Sequence, residues 1–323
     1  MNIAIIGAGI SGLTCANALS QHHKVKVFEK ARGVSGRLST RRSKDLRFDH
    51  GAQFIRARSD IFKVFINQLI DNQIISIWAA RYKEIEYGVS SNIDSFNQKN
   101  YVGIPGMNQV GKFIARDLDV VVNTRIKEII SKNNSHVLIA ENGDVFENFD
   151  HVILAIPSDQ LIELLPKKVS FLNDIYNYKM RACATLMIND DNLPDLGFDA
   201  CKVKGHDISW LSVNSSKPQR DNSTSIVIHS SHLWADQHAF DNKNWMISHL
   251  LKQSKDLFEY DFSSSKHINL HVWLYSNIGK ANNAVYYLDR NTNISACGDW
   301  CLRGNIESAY LSGYNLANAI LEN

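Results

Sequence analysis

The chain opens on a short, mostly apolar run, Asn2 to Ile6, suited to a buried strand. A turn follows, Gly7-Ala8-Gly9-Ile10-Ser11-Gly12, after which Leu13, Ala16 and Leu19 recur at helical spacing. Val25, Val27 and Phe28 then predict a second strand ending at Glu29. Asp60 to Asp71 reads as an amphipathic helix through Ile61, Phe62, Phe65, Ile66 and Leu69. Short strands are expected over Ile74 to Ile85, and the polar residues 86–100 read as a loop. A helix is expected from about Asn108 to Arg116, and strands over Val120–Ile130 and His136–Ala140. Glu141-Asn142-Gly143-Asp144 is a hairpin turn. The strand His151 to Ile156 stops at Pro157, and residues 158–166 look helical.

From Tyr178 the pattern changes to short β-type runs: Ala182–Ile188, Ile208–Val213, Ser225–His229 and Ile268–Leu274. One helix, from about Trp245 to Phe258, interrupts them, so an antiparallel sheet with a single helical cover forms a second domain. A last strand leads into Cys297-Gly298-Asp299-Trp300 and places a carboxylate at its end. Ile306, Tyr310, Gly313, Ala317 and Ile320 mark one face of a final helix. The first domain therefore draws on both ends of the chain.

A length of 323 residues suits two domains. Lys and Arg number 35 against 33 for Asp and Glu, with no long run of one sign, which argues against a nucleic-acid surface. The five cysteines (15, 183, 201, 297 and 301) form neither a disulfide framework nor a zinc site, as expected in a reducing cytoplasm. The spacing of Cys297 and Cys301 is not the redox Cys-x-x-Cys. No basic leader and no run of ~18 apolar residues stand out, so a cytoplasmic protein without membrane contact is expected.

The glycine turn carries the first candidate chemistry. Gly7 permits the tight bend, Gly9 lets the backbone approach a pyrophosphate, and Gly12 lets helix and strand pack closely. Glu29, 22 residues beyond Gly7, stands where a ribose hydroxyl needs an acceptor. The segment Lys30 to Arg42 is rich in glycine and arginine, and guanidinium matches phosphate as a fork; Arg37 is the first candidate, with Arg41 and Arg42 behind it. Phe48-Asp49-His50-Gly51-Ala52-Gln53-Phe54 allows close approach by a flat ring, with His50 either a base or an orienting residue. Trp210, Trp234, Trp245 and Trp273 serve either a core or an apolar wall over a ring.

Together these stretches resemble the FAD-binding oxidoreductases of the glutathione-reductase and amine-oxidase type. The resemblance is carried by the opening turn, Glu29, the Gly33–Arg37 segment, Ala155-Ile156-Pro157 and the terminal Gly298-Asp299-Trp300 with its helix. A closer likeness, to the renalase branch and its bacterial members, rests on FDHGAQF (48–54), GMN (106–108), WLSVNSSKP (210–218), VIHSSHLW (227–234) and CGDWCLRGNIESAYLSG (297–313). It implies an α/β FAD-binding Rossmann-like domain (1–57, 101–165 and 285–323) and a discontinuous second domain on a mainly antiparallel β-sheet (58–100 and 166–284).

The cofactor implied is non-covalent FAD. Gly7, Gly9, Ser11 and Gly12 would hold its pyrophosphate side, with Glu29, Lys30, Gly36, Arg37 and Arg42 beside them. Gln53, Met107 and Ile306 complete the expected site; Ile126 would meet adenine through its backbone, and Asp299 the sugar or ribityl hydroxyls. The activity implied is oxidation of 2- and 6-dihydro-NAD(P) to NAD(P)+ with O2 as acceptor, yielding hydrogen peroxide. Trp210, Asn214, His229 and Trp273 are the substrate-facing candidates, Asn214 as partner of the carboxamide. Val272 and Leu274 stand where that branch often carries arginines, and Lys217, Arg220 or Arg303 are expected to compensate. No metal, nucleic acid or protein partner is expected. A flavin-dependent amine oxidase, a non-enzymatic flavin- or nucleotide-binding regulator, and a fold holding NAD(P) permanently remain as alternatives.

Overall fold

The structure, a computed structural model, describes residues 1–43, 46–93, 99–132, 135–281 and 283–322. At its centre β1 (Asn2–Ile6) lies between two parallel neighbours, β2 (Lys24–Phe28) and β13 (His151–Leu154). β9 (Asp119–Val121) extends the sheet beyond β2, and β20 (Ile294–Ala296) with the antiparallel β19 (Tyr287–Asp289) extends it beyond β13. Beyond Asn2, β1 is apolar because both of its faces are covered. Ile3 and Ile5 join a core with Leu13 and Ala16 of α1 (Ile10–Leu19) and Leu316 and Ala317 of α8 (Ile306–Leu321). Ala4 and Ile6 point the other way, to Leu161 of α4 (Ser158–Leu164) and to a separate three-stranded sheet.

That smaller sheet is antiparallel: β10 (Ile126–Lys132), β11 (Ser135–Ala140) and β12 (Val145–Phe149), with Gly143 at φ +94° in the turn before β12. The run Val120–Ile130, expected as one strand, is therefore two strands in two sheets. Asn123, at φ +53°, donates its amide to the Ala31 carbonyl, and the chain turns out of the central sheet there.

The second large sheet has seven strands in the order β18-β14-β17-β16-β15-β6-β7. These are β18 (His267–Ile278), β14 (Met180–Asn189), β17 (Ser225–Ser230), β16 (Ile208–Val213), β15 (Ala200–Lys204), β6 (Tyr82–Glu86) and β7 (Val89–Ile93). All neighbours are antiparallel except β15 with β6. β7 falls within the stretch expected as a loop. Tyr87 and Gly88, both at positive φ, make a two-residue hairpin turn, and the edge strand β7 is exposed over its described side chains, residues 89–92. β15 went unseen as well. The single helical cover becomes two, α6 (His232–His238), capped by Ser231, and α7 (Lys243–Phe258).

Between the sheets run a ribbon of β3 (Thr40–Ser43) and β4 (Leu46–Asp49), and a second of β5 (Ile75–Ile77) and β8 (Tyr101–Gly103). α2 (Asp60–Asp71), α3 (Gln109–Ala115) and α5 (Leu172–Ile175) complete the order. α2 has the expected bounds. Ser59 caps it by accepting from the Phe62 amide, and Phe62, Phe65, Ile66 and Leu69 are buried, each stabilising by roughly 1.5–3 kcal/mol. Ile61, placed on the same face from its spacing, is instead 44% exposed. Among the described residues no helix is long and apolar enough to cross a membrane.

Candidate active site

One cavity of about 1590 Å³ runs from the β1–α1 turn to the face of the seven-stranded sheet. That exceeds the ~300–1,000 Å³ typical of a single small ligand, so it has room for a dinucleotide and a second molecule. At its first end β1 gives way to Gly7, φ +109°, whose amide bonds the Phe28 carbonyl at 2.8 Å. A Cβ there would lie 2.5 Å from the Ala155 carbonyl oxygen, and one at Gly12 would collide with the carbonyl of Gly7. Gly9, the residue before α1, differs: a Cβ there would project into open space. The Ser11 hydroxyl is buried and unpartnered among the described residues. Bare backbone at Gly9, an orphaned hydroxyl and the free amides of a helix start together suit a pyrophosphate.

Glu29, 7% exposed, accepts from the amides of Ala8 (2.9 Å) and Ala31 (2.8 Å). An ionised carboxylate has about four acceptor positions, so a ribose hydroxyl can still donate to it. Lys30 lines the same region and donates to Gln160 at 3.1 Å; burial and the nearby Arg125 lower its pKa. Gly36, Arg42, Gln53, Ile126 and Ile306 also line the cavity. The helix start at Ile306 is capped by Asn305, which accepts from the Ser308 amide.

Arg37 also lines the cavity, with its guanidinium already engaged. Its fork is closed on Asp299: Nη1 donates to Oδ2 at 2.9 Å and Nη2 to Oδ1, while Nη1 also reaches the Ser276 carbonyl at 2.9 Å. The guanidinium is thus matched by a carboxylate, because a planar fork fits both oxygens at once. Asp299 keeps acceptor capacity on the cavity side.

At the far end, Trp273 on β18 donates its indole N–H to the His50 carbonyl at 2.9 Å and stacks on the His50 ring at 5.1 Å and 29°. His271 stands edge-on to both, 4.4 Å from Trp273 and 5.0 Å from His50. Across the cavity Trp210 packs at 5.8 Å against Phe54, and its buried N–H has no partner among the described residues. His229 contacts Gln53 Nε2 at 3.3 Å; the Gln53 side-chain oxygen accepts from Ser212 (2.8 Å) and Lys217 (3.2 Å). Gln53 therefore donates and the His229 Nε2 accepts.

Burial pushes the His229 pKa down to about 3, helped by Lys217 and His50. Burial, with His271 and Arg41 nearby, takes His50 to about 3, and burial with Arg41 and Lys243 takes His271 to about 4. All three imidazoles are neutral at pH 7.

Two expected contacts fail. Asn214 is fully buried and off the cavity; its Oδ1 accepts from the Asp49 amide at 3.3 Å and its Nδ2 donates to the Arg47 carbonyl (2.9 Å) and Ser225 (3.2 Å). It ties the β3–β4 ribbon to β17 and has no group left for a carboxamide. Met107 is also fully buried away from the cavity, its sulfur accepting from the Gly103 amide and its own amide bonding Asp49 at 3.0 Å.

The cations expected to compensate for Val272 and Leu274 lie elsewhere too. Lys217 and Arg220 are buried on Asp49 (3.2 and 2.6 Å), and Arg303 is exposed outside the cavity. Burial alone would raise the Asp49 carboxyl, but those two cations hold it at about 2. This buried cluster was missed: a lone Asp before a His, and a Lys in a polar turn, give no sequence signal that they meet. Among the described residues no group of three or more His, Cys, Asp or Glu could hold a metal ion, and all five cysteines are free and buried.

Two family profiles match the chain. Residues 5–69 match an NAD(P)-binding Rossmann-like domain, and residues 78–321 match the flavin containing amine oxidoreductases. The 4,4'-diapophytoene desaturases (4,4'-diaponeurosporene-forming) of Staphylococcus aureus strains Newman and USA300 are each 39% identical over 64 residues. That is 20% of this chain and only 12% of the length of those relatives. Among solved structures, a protein provisionally named a protoporphyrinogen oxidase, from Exiguobacterium sp. 255-15, superposes with a TM-score of 0.80 at 11% identity, over 100% of this chain and 99% of that one. Wild-type putrescine oxidase bound to putrescine gives 0.74 at 12% identity, again over 100% and 99%. At such identities the likeness is one of fold, and it matches the two-domain architecture expected from the sequence. The profile over residues 78–321 covers most of the chain, and the chain belongs to the flavin containing amine oxidoreductase family.

Proposed function

We propose that the protein is an oxidase of dihydronicotinamide dinucleotides, turning the 2- and 6-dihydro isomers of NAD(P) into NAD(P)+ with non-covalent FAD as cofactor. The balance is dihydro-NAD(P) plus O2 and a proton, giving NAD(P)+ and hydrogen peroxide. Bound flavin supplies the hydride acceptor and passes the electron pair to dioxygen. The residues at the glycine turn, Glu29 and the Arg37–Asp299 pair are those that would hold it.

The observation that carries the substrate reading is the lining contributed by the seven-stranded sheet. It offers Trp210, Trp273 and neutral His229 and His271, and among the described residues no carboxylate. Flat aromatic walls suit a planar ring. A wall without a carboxylate, with Arg41 beside it, suits an anion better than an ammonium. Loss of hydride from a dihydropyridine leaves an aromatic cation and needs no base. The neutral histidines then orient the ring and exclude water, and the work of the protein is alignment.

A simple amine oxidase is the rival reading, favoured by the family and by the aromatic walls, which also suit a neutral amine. Anaerobic stopped-flow separates the two. The purified flavoprotein is mixed with 2-dihydro-NAD(P), 6-dihydro-NAD(P), ordinary NAD(P)H or putrescine while flavin absorbance is followed. Fast bleaching by an isomer, with release of NAD(P)+ and slow reaction of ordinary NAD(P)H, is the expected result. Fast bleaching by the amine alone would overturn the proposal, and a flavin that nothing reduces would favour a binding or regulatory role.

A further inference from the structure

Arg41 lines the cavity from β3 (Thr40–Ser43). On β3 side chains alternate, so Thr40 and Arg42 share one face and Arg41 takes the other. The register is pinned from both sides. Thr40 donates to Asp49 at 2.7 Å, and Asp49 is held by Lys217 and Arg220. Phe48, the strand partner of Arg41, stacks on His267 of β18 at 5.9 Å and 23°. Arg41 is thereby delivered against β18, with Nη2 3.4 Å from Nδ1 of His271 and the Trp273–His50 stack just beyond.

The cations of the cavity differ in how they are matched. Arg37 is closed on Asp299, and Lys202 pairs with Glu84 at 3.0 Å. Arg41 is half-buried, yet among the described residues its hydrogen-bond partner is a neutral imidazole and it forms no ion pair with a carboxylate. A partly desolvated guanidinium without a counter-ion is unfavourable, and it presents the planar fork that fits phosphate oxygens.

We propose that Arg41 is the phosphate-recognition residue of the substrate site. It holds the phosphate next to the ribose of a dihydronicotinamide whose ring lies at Trp273, and supplies from β3 the positive charge absent at Val272 and Leu274 on β18. This rests on the dihydronicotinamide reading of the same cavity. It adds a specificity: phosphate-bearing nucleotides are preferred over the bare riboside. His271 is a positioning residue here, its Nδ1 accepting from the guanidinium.

The test uses the flavin-loaded full chain, as wild type, Arg41→Gln and Arg41→Lys. Affinities for dihydronicotinamide mononucleotide and for its riboside are measured by perturbation of the flavin spectrum. Inorganic pyrophosphate is titrated in parallel by tryptophan fluorescence. In the wild type the mononucleotide should bind about tenfold more tightly than the riboside, with a preference that shrinks as salt rises. In Arg41→Gln that ratio should fall to near one and saturable pyrophosphate binding should be lost, while Arg41→Lys keeps part of both. A ratio that survives in Arg41→Gln overturns the proposal. If no dihydronicotinamide engages the flavin, the substrate reading fails by itself. Pyrophosphate binding that depends on Arg41 would then still support the anion site, and binding identical in Arg41→Gln would sink it.

Discussion

The guanidinium of Arg37 closes on both carboxylate oxygens of Asp299, joining residues 262 positions apart. Asp299 is 5% exposed and the Arg37 side chain 31%, so the pair is shielded on one side only. Asp299→Asn should leave Arg37 without its counter-charge, cost roughly 1–3 kcal/mol and weaken flavin retention about tenfold. Equilibrium dialysis of the flavin, with a melting curve of the stripped protein, checks both. Full retention at lowered stability would make the pair a tie between chain ends and nothing more.

Gly9 and Gly12 predict opposite failures from one small change. A methyl at Gly9 meets no protein atom within 4 Å, so Gly9→Ala should melt like the wild type yet hold flavin poorly. A methyl at Gly12 meets the Gly7 carbonyl, so Gly12→Ala should lose stability by about 1–3 kcal/mol whether or not flavin is present. Comparable flavin affinity in wild type and Gly9→Ala would show that nothing approaches that backbone.

Asn214→Ala is expected to damage the fold rather than the chemistry. It orphans the Asp49 amide and the Arg47 carbonyl together, at about 1–3 kcal/mol for each buried group left unpaired. Protein that stays folded should bleach its flavin at the wild-type rate with any competent reductant. A slowed reductive step at unchanged melting temperature would return Asn214 to the site.

Acid should unfold the protein through its buried histidines. His50 and His151 lie at about 3 and about 4 in the folded state against an ordinary 6.5, chiefly through burial. Below 6.5 the unfolded chain takes protons that the folded one refuses. Stability is therefore whole above about pH 6.5 and falls as pH drops towards 4, by roughly 1.4 kcal/mol per pH unit for each such histidine. Melting temperatures from about pH 4 to pH 7 read this slope, and His151→Asn should flatten it. An unchanged slope in that variant would assign the acid sensitivity to other groups.

What the sequence disclosed follows from how local each signal is. The Gly7–Gly12 turn, Glu29 and α2 were legible because period, cap and glycine positions lie within a few residues of one another. β7 was hidden because an edge strand exposed over residues 89–92 offers no buried pattern there to read. Asn214 and Met107 were misplaced because a polar side chain at a strand end, or a flexible one beside glycines, fits a ligand wall and a buried tie equally well. The Arg37–Asp299 pair and the Asp49–Lys217–Arg220 cluster join distant segments, and one sequence carries no sign of which distant charges meet.

The packing of α8 on α1, where Gly313 lies against the Ser11 carbonyl, makes the cleft a joint product of two distant segments. Gly9 and Ser11 near one end of the chain and Asp299 and Ile306 near the other line the same cavity, so its closure depends on segments far apart in the chain. A chain cut before α8 should therefore retain flavin poorly even where β1, α1 and β2 have folded.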